Sequence, residues 1–375
     1  MDWYSITNID QLDTPALVVY PARVRENIRN AIALVGDPAR LRPHVKTHKS
    51  PEVTRLQLEA GIRQFKCATI AEAEMLAIEG APDVLLAYQP IGPKAARLVA
   101  LIRKYPATKF SCLIDNEDAA RAMAATFAGA GLTVPVWLDI NVGMDRTGIA
   151  PGDGAARLYE LAKELEGIIP VGLHAYDGHI RDADPVAMAA KVDAAFAGVR
   201  ALREVLGGPG VPLIAGGSPT FPVHARRSDE ICSPGTFVYW DKGYADQFPD
   251  QPFMPAALVV SRVISLRGDS RICIDLGHKS IAAENELTKR ASFLNALGLR
   301  PIGQSEEHLV LETVSGPGSG SAGNGGHGFR IGDVLYGVPY HVCPTVALYD
   351  RAYTIEDGRV TGEWKNTARD RKLSV

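Results

Sequence analysis

From about residue 40 to residue 235, short β-branched or apolar runs alternate with segments whose charges recur every three or four positions. The runs fall at 41–46, 65–69, 84–88, 110–114, 134–140, 171–176, 213–217 and 230–233, and the helix-like segments at 50–60, 70–79, 94–104, 116–128, 155–166 and 185–206. A short apolar run suits a strand covered on both faces, and a three-to-four residue period suits a helix with one buried side. Strand and helix alternating through eight runs predict an α/β fold, a (β/α)8 TIM barrel. A barrel of this kind uses about 250 residues, so a chain of 375 has room for a second domain.

The alternation stops near Gly235. After it, strand-like runs at 256–265, 271–274, 308–314, 334–337, 345–348, 352–355 and 359–363 follow one another without helices. The reading is a barrel over 21–250 and a C-terminal β-rich domain over 251–375, with residues 1–20 as a candidate added strand. Residues 316–328 are a Gly/Ser tract and predict a flexible surface loop.

With 40 basic against 43 acidic side chains and a net charge of −3, the chain has no strong field to recruit nucleic acid or anionic lipid. The start, Met1-Asp2-Trp3-Tyr4-Ser5, has neither the basic nor the apolar region of a leader, and no run of about 18 apolar residues occurs. A soluble, cytoplasmic protein without a membrane or nucleic-acid partner is expected. The 5 cysteines are odd in number, scattered and without a C-x-x-C pair, which argues against a disulfide framework. Cys67, Cys112, Cys232 and Cys273 are expected to be buried packing. Cys343 differs because it follows His341 by two residues.

Barrels carry their reactive groups at the C-terminal ends of their strands. The first run closes with Arg42-Pro43-His44-Val45-Lys46-Thr47-His48-Lys49, where alternation puts His44 and Lys46 on one face and Val45 and Thr47 on the other. A lysine turned into a barrel mouth loses solvation and becomes a candidate for covalent chemistry with a carbonyl; the alternative is a solvated basic turn, with Lys49 the more solvated of the two lysines. After the fifth run, Asn141-Val142-Gly143-Met144-Asp145-Arg146-Thr147-Gly148 holds Arg146 between glycines, suited to aiming a guanidinium at an anion. The sixth run ends in His174-Ala175-Tyr176-Asp177-Gly178-His179, with His174 and Tyr176 on one face and His179 delivered to the loop.

The seventh and eighth runs lead into Gly216-Gly217-Ser218-Pro219-Thr220 and Ser233-Pro234-Gly235-Thr236. Small residues with free backbone N–H groups after the last two strands point to a phosphate. In the second domain His341-Val342-Cys343 would project an imidazole and a thiol from one side of an extended chain, as a zinc site requires; a buried cysteine beside a capping histidine is the alternative. Ser305-Glu306-Glu307-His308 reads as a solvated acidic turn.

Together these segments resemble the D-threonine aldolase and D-serine dehydratase family, fold-type III pyridoxal-phosphate enzymes with the alanine-racemase type of barrel. The likeness also runs through Leu12-Asp13-Thr14-Pro15 and Thr69-Ile70-Ala71-Glu72-Ala73-Glu74. It implies that Lys46 carries pyridoxal phosphate covalently, that Arg146 faces the ring oxygen, and that Tyr176 lines the ring. Ser218, Gly235 and Thr236 would hold the phosphate, and His341 with Cys343 a divalent metal, zinc or manganese. The implied reaction is retro-aldol cleavage of a D-threonine-like substrate to glycine and an aldehyde, with His179 as candidate base. D-Serine or D-3-hydroxyaspartate dehydration is the alternative, and a non-catalytic cofactor carrier a further one, against which the second domain and the metal pair count. The resemblance alone implies the D configuration and a homodimer.

Overall fold

The protein is described by a computed structural model in which residues 2–314 and 327–375 are described. Of the predicted loop at 316–328, all but the last two residues lie outside the described residues. The N-terminal stretch forms β1 (Ala16–Val19) and α1 (Pro21–Val35). The next stretch runs α2 (Pro51–Glu59), β2 (Gln64–Cys67), α3 (Ile70–Ile78), β3 (Asp83–Leu86), α4 (Pro93–Lys104), β4 (Lys109–Ile114), α5 (Glu117–Gly129) and β5 (Val134–Ile140). It continues α6 (Asp153–Glu164), β6 (Ile168–Ala175), α7 (Pro185–Leu206), β7 (Leu213–Ala215), α8 (Phe221–Ala225) and β8 (Glu230–Cys232). After α9 (Lys242–Gln247) come β9 (Ala257–Arg267), β10 (Arg271–Ile274), β11 (Ala291–Phe293), β12 (Leu299–Gln304), β13 (Leu309–Thr313) and β14 (Val334–Pro339). The chain ends with α10 (Val342–Ala347), β15 (Arg351–Glu356) and β16 (Arg359–Lys365).

Two units divide the chain: Ile28–Phe237 with Thr367–Val375, and Met1–Asn27 with Val238–Asn366. The sequence reading put its boundary at 250/251; the division here falls at 237/238, and the last residues go with the barrel. There Glu74, a buried carboxylate on α3, accepts from the Ser374 amide at 3.0 Å.

The barrel helices start where local chemistry satisfies their first amides. Thr69 Oγ1 accepts from Glu72 N, Asn116 Oδ1 from Ala119 N, and Asp184 from Val186 N and Ala187 N. Pro51, Pro93 and Pro185 occupy first-turn positions, where no N–H is needed. Strands β2 to β8 form a parallel curled sheet in sequential order, with Leu85, Leu113, Trp137 and Ile214 clustered in the core.

The run at 41–46 is not a regular strand. It joins the two edges of the sheet through parallel bridges, Leu41 to Cys232 and His44 to Lys66. Arg42 N donates to Cys232 O and His44 N to Pro234 O on one side, while Val45 N donates to Lys66 O and Lys66 N to Pro43 O on the other, each at 2.9 Å. Pro43, with no N–H of its own, interrupts the ladder without opening the ring.

In the other unit the strand order is β12-β13-β10-β9-β1-β15-β16, with β14 on β9 and β11 on β14. β1 lies antiparallel to β9 and parallel to β15, and Val18, Leu258, Val260, Tyr336 and Ile355 pack in one cluster. The run at 345–348, expected as a strand, lies in α10 and its C-cap. Its apolar residues serve either period, and His341 in extended conformation followed by Pro344 in the first turn selects the helix.

Cys67, Cys112 and Cys232 are buried as expected, whereas Cys273 is only half-buried, like Cys343. Among the described residues no helix is long and apolar enough to cross a membrane.

Candidate active site

Three cations surround one aromatic ring in the barrel. The ammonium nitrogens of Lys46 and Lys66 each lie 5.8 Å from the centroid of Tyr176, and the guanidinium carbon of Arg146 lies 5.1 Å away. Residues 45–48 form a turn, closed by Lys49 N on Val45 O at 3.0 Å, and this turn rather than the predicted strand alternation leaves Lys46 half-buried near the ring while Val45 and Thr47 are fully buried. Tyr176 stands where it does because two neighbours lack side chains. A Cβ on Gly178 would come within 2.2 Å of the Tyr176 hydroxyl, and one on Gly217 within 2.7 Å of Cε2. Lys49 is not the solvated residue expected: its ammonium pairs with Glu72, whose side chain is fully buried. Arg146 is exposed, as is His179, whose Nε2 would lie 3.2 Å from a Cβ on Gly143.

After β7 and β8, three hydrogen-bonding groups converge. Ser218 Oγ accepts from Gly235 N at 3.1 Å and from Thr236 N at 3.0 Å, and both Ser218 and Thr236 are buried. A hydroxyl and two backbone amides meeting at one point are the donors that phosphate oxygens use. Gly235 approaches the His44 carbonyl so closely that a Cβ there would lie 2.9 Å from the oxygen. An aldehyde-bearing aromatic phosphate fits this donor set: an amine for the carbonyl, an aromatic face, a guanidinium and an amide cradle.

Two buried histidine–carboxylate groups accompany these residues. His174 Nδ1 is 2.8 Å from Asp139 Oδ1, and Asp139 Oδ2 accepts from Thr147 Oγ1 at 2.9 Å. Burial opposes ionisation of Asp139, but the hydrogen bonds from His174, Thr147 and Gln89 outweigh it and hold the carboxyl below its ordinary value. Burial pulls His174 below its usual 6.5, Lys66 and Arg146 add to this, and the bond to Asp139 only partly offsets it. A neutral imidazole beside an ionised carboxylate keeps its proton on Nδ1, which leaves the buried Nε2 basic; that nitrogen has no partner among the described residues.

The second pair is a fully buried chain. His224 Nε2 is 2.8 Å from Asp177 Oδ2 and its Nδ1 is 2.6 Å from Glu230 Oε2, while Thr220 Oγ1 donates to Asp177 at 2.7 Å. Burial works against charge on His224, but the bonds to Asp177 and Glu230 prevail and raise its pKa. Asp177 follows Tyr176 directly, so the chain fixes the end of β6.

In the β-rich unit His341 is the N-cap residue of α10 and Cys343 lies in its first turn. The expected geometry, two side chains on one side of an extended strand, is corrected: the helix turn brings them together. Burial would lower His341, but its hydrogen bond to Cys343 and then that to Glu284 raise it to about 9. Glu284 Oε1 lies 2.5 Å from His341 Nδ1, and a carboxylate on the far ring nitrogen is the usual support of a metal-ligating histidine. Imidazole and thiol in contact, backed by a carboxylate, fit a transition metal. Among the described residues no group of three or more His, Cys, Asp or Glu side chains is arranged so that all could hold one metal ion, so His341 and Cys343 are the pair and Glu284 is their support. Glu306 and Glu307 are exposed and pair with Lys279, as a solvated acidic turn should.

Residues 19–242 match the family described as alanine racemase, N-terminal domain. The chain belongs to this family. Residues 256–355 further match the putative serine dehydratase domain. A D-threonine aldolase of Arthrobacter sp is 29% identical over 373 residues, covering 96% of this chain and 93% of that protein. A D-threo-3-hydroxyaspartate dehydratase of a Delftia species is 26% identical, with 90% and 93% covered. The crystal structure of a D-threonine aldolase from Filomicrobium marinum superposes with a TM-score of 0.85 at 27% identity, covering 98% of each chain. The alanine-racemase fold and these relatives make the chain an enzyme of the fold-type III pyridoxal-phosphate family.

Sequence reasoning missed Lys66 and Asp139 entirely and left Asp177, His224 and Glu230 without roles. The signal was present for the first two. A lysine between Phe65 and Cys67, and an aspartate at the end of Val136-Trp137-Leu138, interrupt runs that a barrel strand keeps apolar.

Proposed function

We propose that this protein is a pyridoxal-phosphate- and divalent-metal-dependent lyase that cleaves D-3-hydroxy amino acids, converting D-threonine-like substrates to glycine and an aldehyde. The observation that carries this reading is the approach of Lys46 and Arg146 to one tyrosine ring in a barrel that also holds the Ser218, Gly235 and Thr236 donors. The aldolases among the relatives support the choice of reaction. When bound, the cofactor supplies a ring into which electrons from a bond to Cα can be withdrawn. His341 and Cys343 would hold zinc or manganese, which would supply Lewis acidity toward a β-hydroxyl.

The chain's own residues bind, orient and move protons. Lys46 Nζ would hold the aldehyde carbon and, once displaced by the substrate's amine, would be placed to deliver the proton that Cα takes up when its bond to Cβ breaks. Arg146 binds the ring oxygen, and Tyr176 lines the ring. The Ser218 hydroxyl would donate to the phosphate, and the amides of Gly235 and Thr236, which now donate to Ser218 Oγ, would turn to it as well. His179 Nε2, exposed beside Gly143, takes the proton of the substrate hydroxyl.

Incubation of the loaded enzyme with D-threonine tests the reading. Glycine and acetaldehyde are expected. 2-Oxobutanoate with ammonia would make the protein a dehydratase, and cofactor binding without turnover of any D-3-hydroxy amino acid would make it a carrier. The family likeness also supports a homodimer, which light scattering tests: a species of 40.3 kDa would contradict it.

A further inference from the structure

Lys66 is a buried charge that the proposed function leaves unused. Its neighbours Phe65 and Cys67 are fully buried, and Lys66 itself is only 2% exposed. Its backbone bonds on both sides to the segment that carries Lys46, and its Nζ is as far from the Tyr176 ring as that of Lys46, 5.8 Å. Among the described residues it makes no ion pair and no side-chain hydrogen bond. The acids near it are engaged elsewhere, Asp139 with His174 and Asp177 with His224. Burial, then Lys46 and more weakly Arg42, bring its pKa down to about 7 against the opposing pull of Asp139 and Asp177. A buried ammonium without a counter-ion is costly, and an anionic partner would remove that cost.

Topology says which anion. Around the barrel the order is β7, β8, the 41–46 segment, then β2. In pyridoxal phosphate the aldehyde is flanked by the phosphate arm on one side and the ring oxygen on the other. With the phosphate after β7 and β8 and the aldehyde at Lys46, the ring oxygen faces onward to β2, where Lys66 stands. We propose that Lys66, alongside Arg146, binds the anionic ring oxygen of the cofactor. This inference rests on the proposed attachment of pyridoxal phosphate to Lys46.

The test compares equilibrium binding of pyridoxal phosphate and of its 3-deoxy analogue, which lacks the ring oxygen, to wild type and Lys66→Met. The variant should lose about tenfold in affinity for pyridoxal phosphate, the scale of one charge-assisted hydrogen bond, and nothing for the analogue. Equal losses for both ligands, or no loss for either, overturn the proposal. Lys66→Gln serves in the same comparison if the methionine variant does not fold. Borohydride reduction of the wild type separates the two levels: a label on Lys46 with equal losses sinks only the role of Lys66, whereas a label elsewhere sinks the reading beneath it.

Discussion

His224 lies between two buried carboxylates, and the balance that raises its pKa bears on stability. Its pKa is raised in the folded chain. The stabilisation is therefore complete below the unfolded value near 6.5 and is lost as pH rises through the higher folded value. His224→Ala leaves Asp177 and Glu230 facing each other without the ring, and should cost about 3–5 kcal/mol. Thermal unfolding of wild type and variant across pH tests this: the gap in Tm should narrow on the alkaline side, and a gap that widens there would contradict the assignment. Ser218 offers a second residue-level check. Ser218→Ala removes the oxygen on which two amides converge, and cofactor affinity measured by titration should fall about tenfold; an unchanged affinity would separate Ser218 from the phosphate.

At the scale of elements, the sequence made most of the barrel legible because period and punctuation agree. Thr69, Asn116 and Asp184 cap the helices whose starts they mark, and the runs from 65 to 233 form the sheet. Segment 41–46 departed from a strand at Pro43, which cannot donate to a ladder. Helix α1 lies before the alternation that begins at residue 40, so the helical spacing of its apolar positions stands outside the repeat that marks the barrel. Helix α10 was hidden by an apolar run too short to show a period. The site divides the same way. Residues that follow strands, such as Tyr176 and Ser218, could be found by position, whereas Lys66 and Asp139 lie within strands, marked only as charges in apolar runs, and His224 lies on α8, where nothing in the sequence pairs it with Asp177 or Glu230. Gly217 ties element to site: with a Cβ only 2.7 Å from Tyr176, Gly217→Ala must push the ring aside. Cofactor affinity should drop severalfold with secondary structure intact by circular dichroism, and wild-type affinity would show that the ring does not line the cofactor.

On the scale of the whole molecule, the proposed chemistry is split between units: the barrel holds the groups assigned to the cofactor, and the β-rich unit holds His341 and Cys343. Removing the metal should therefore abolish turnover while cofactor content, read from absorbance, stays constant. The same separation is expected of Cys343→Ala, and full activity after exhaustive chelation would refute the metal's part. The account's central claim is narrower still, that Lys46 is the covalent attachment point. Borohydride reduction of the cofactor-loaded protein followed by peptide mass mapping tests it most directly. The pyridoxyl group should be found on the peptide containing Lys46 and be absent from Lys46→Ala; a label on any other lysine, or a reducible adduct that survives in that variant, would contradict it.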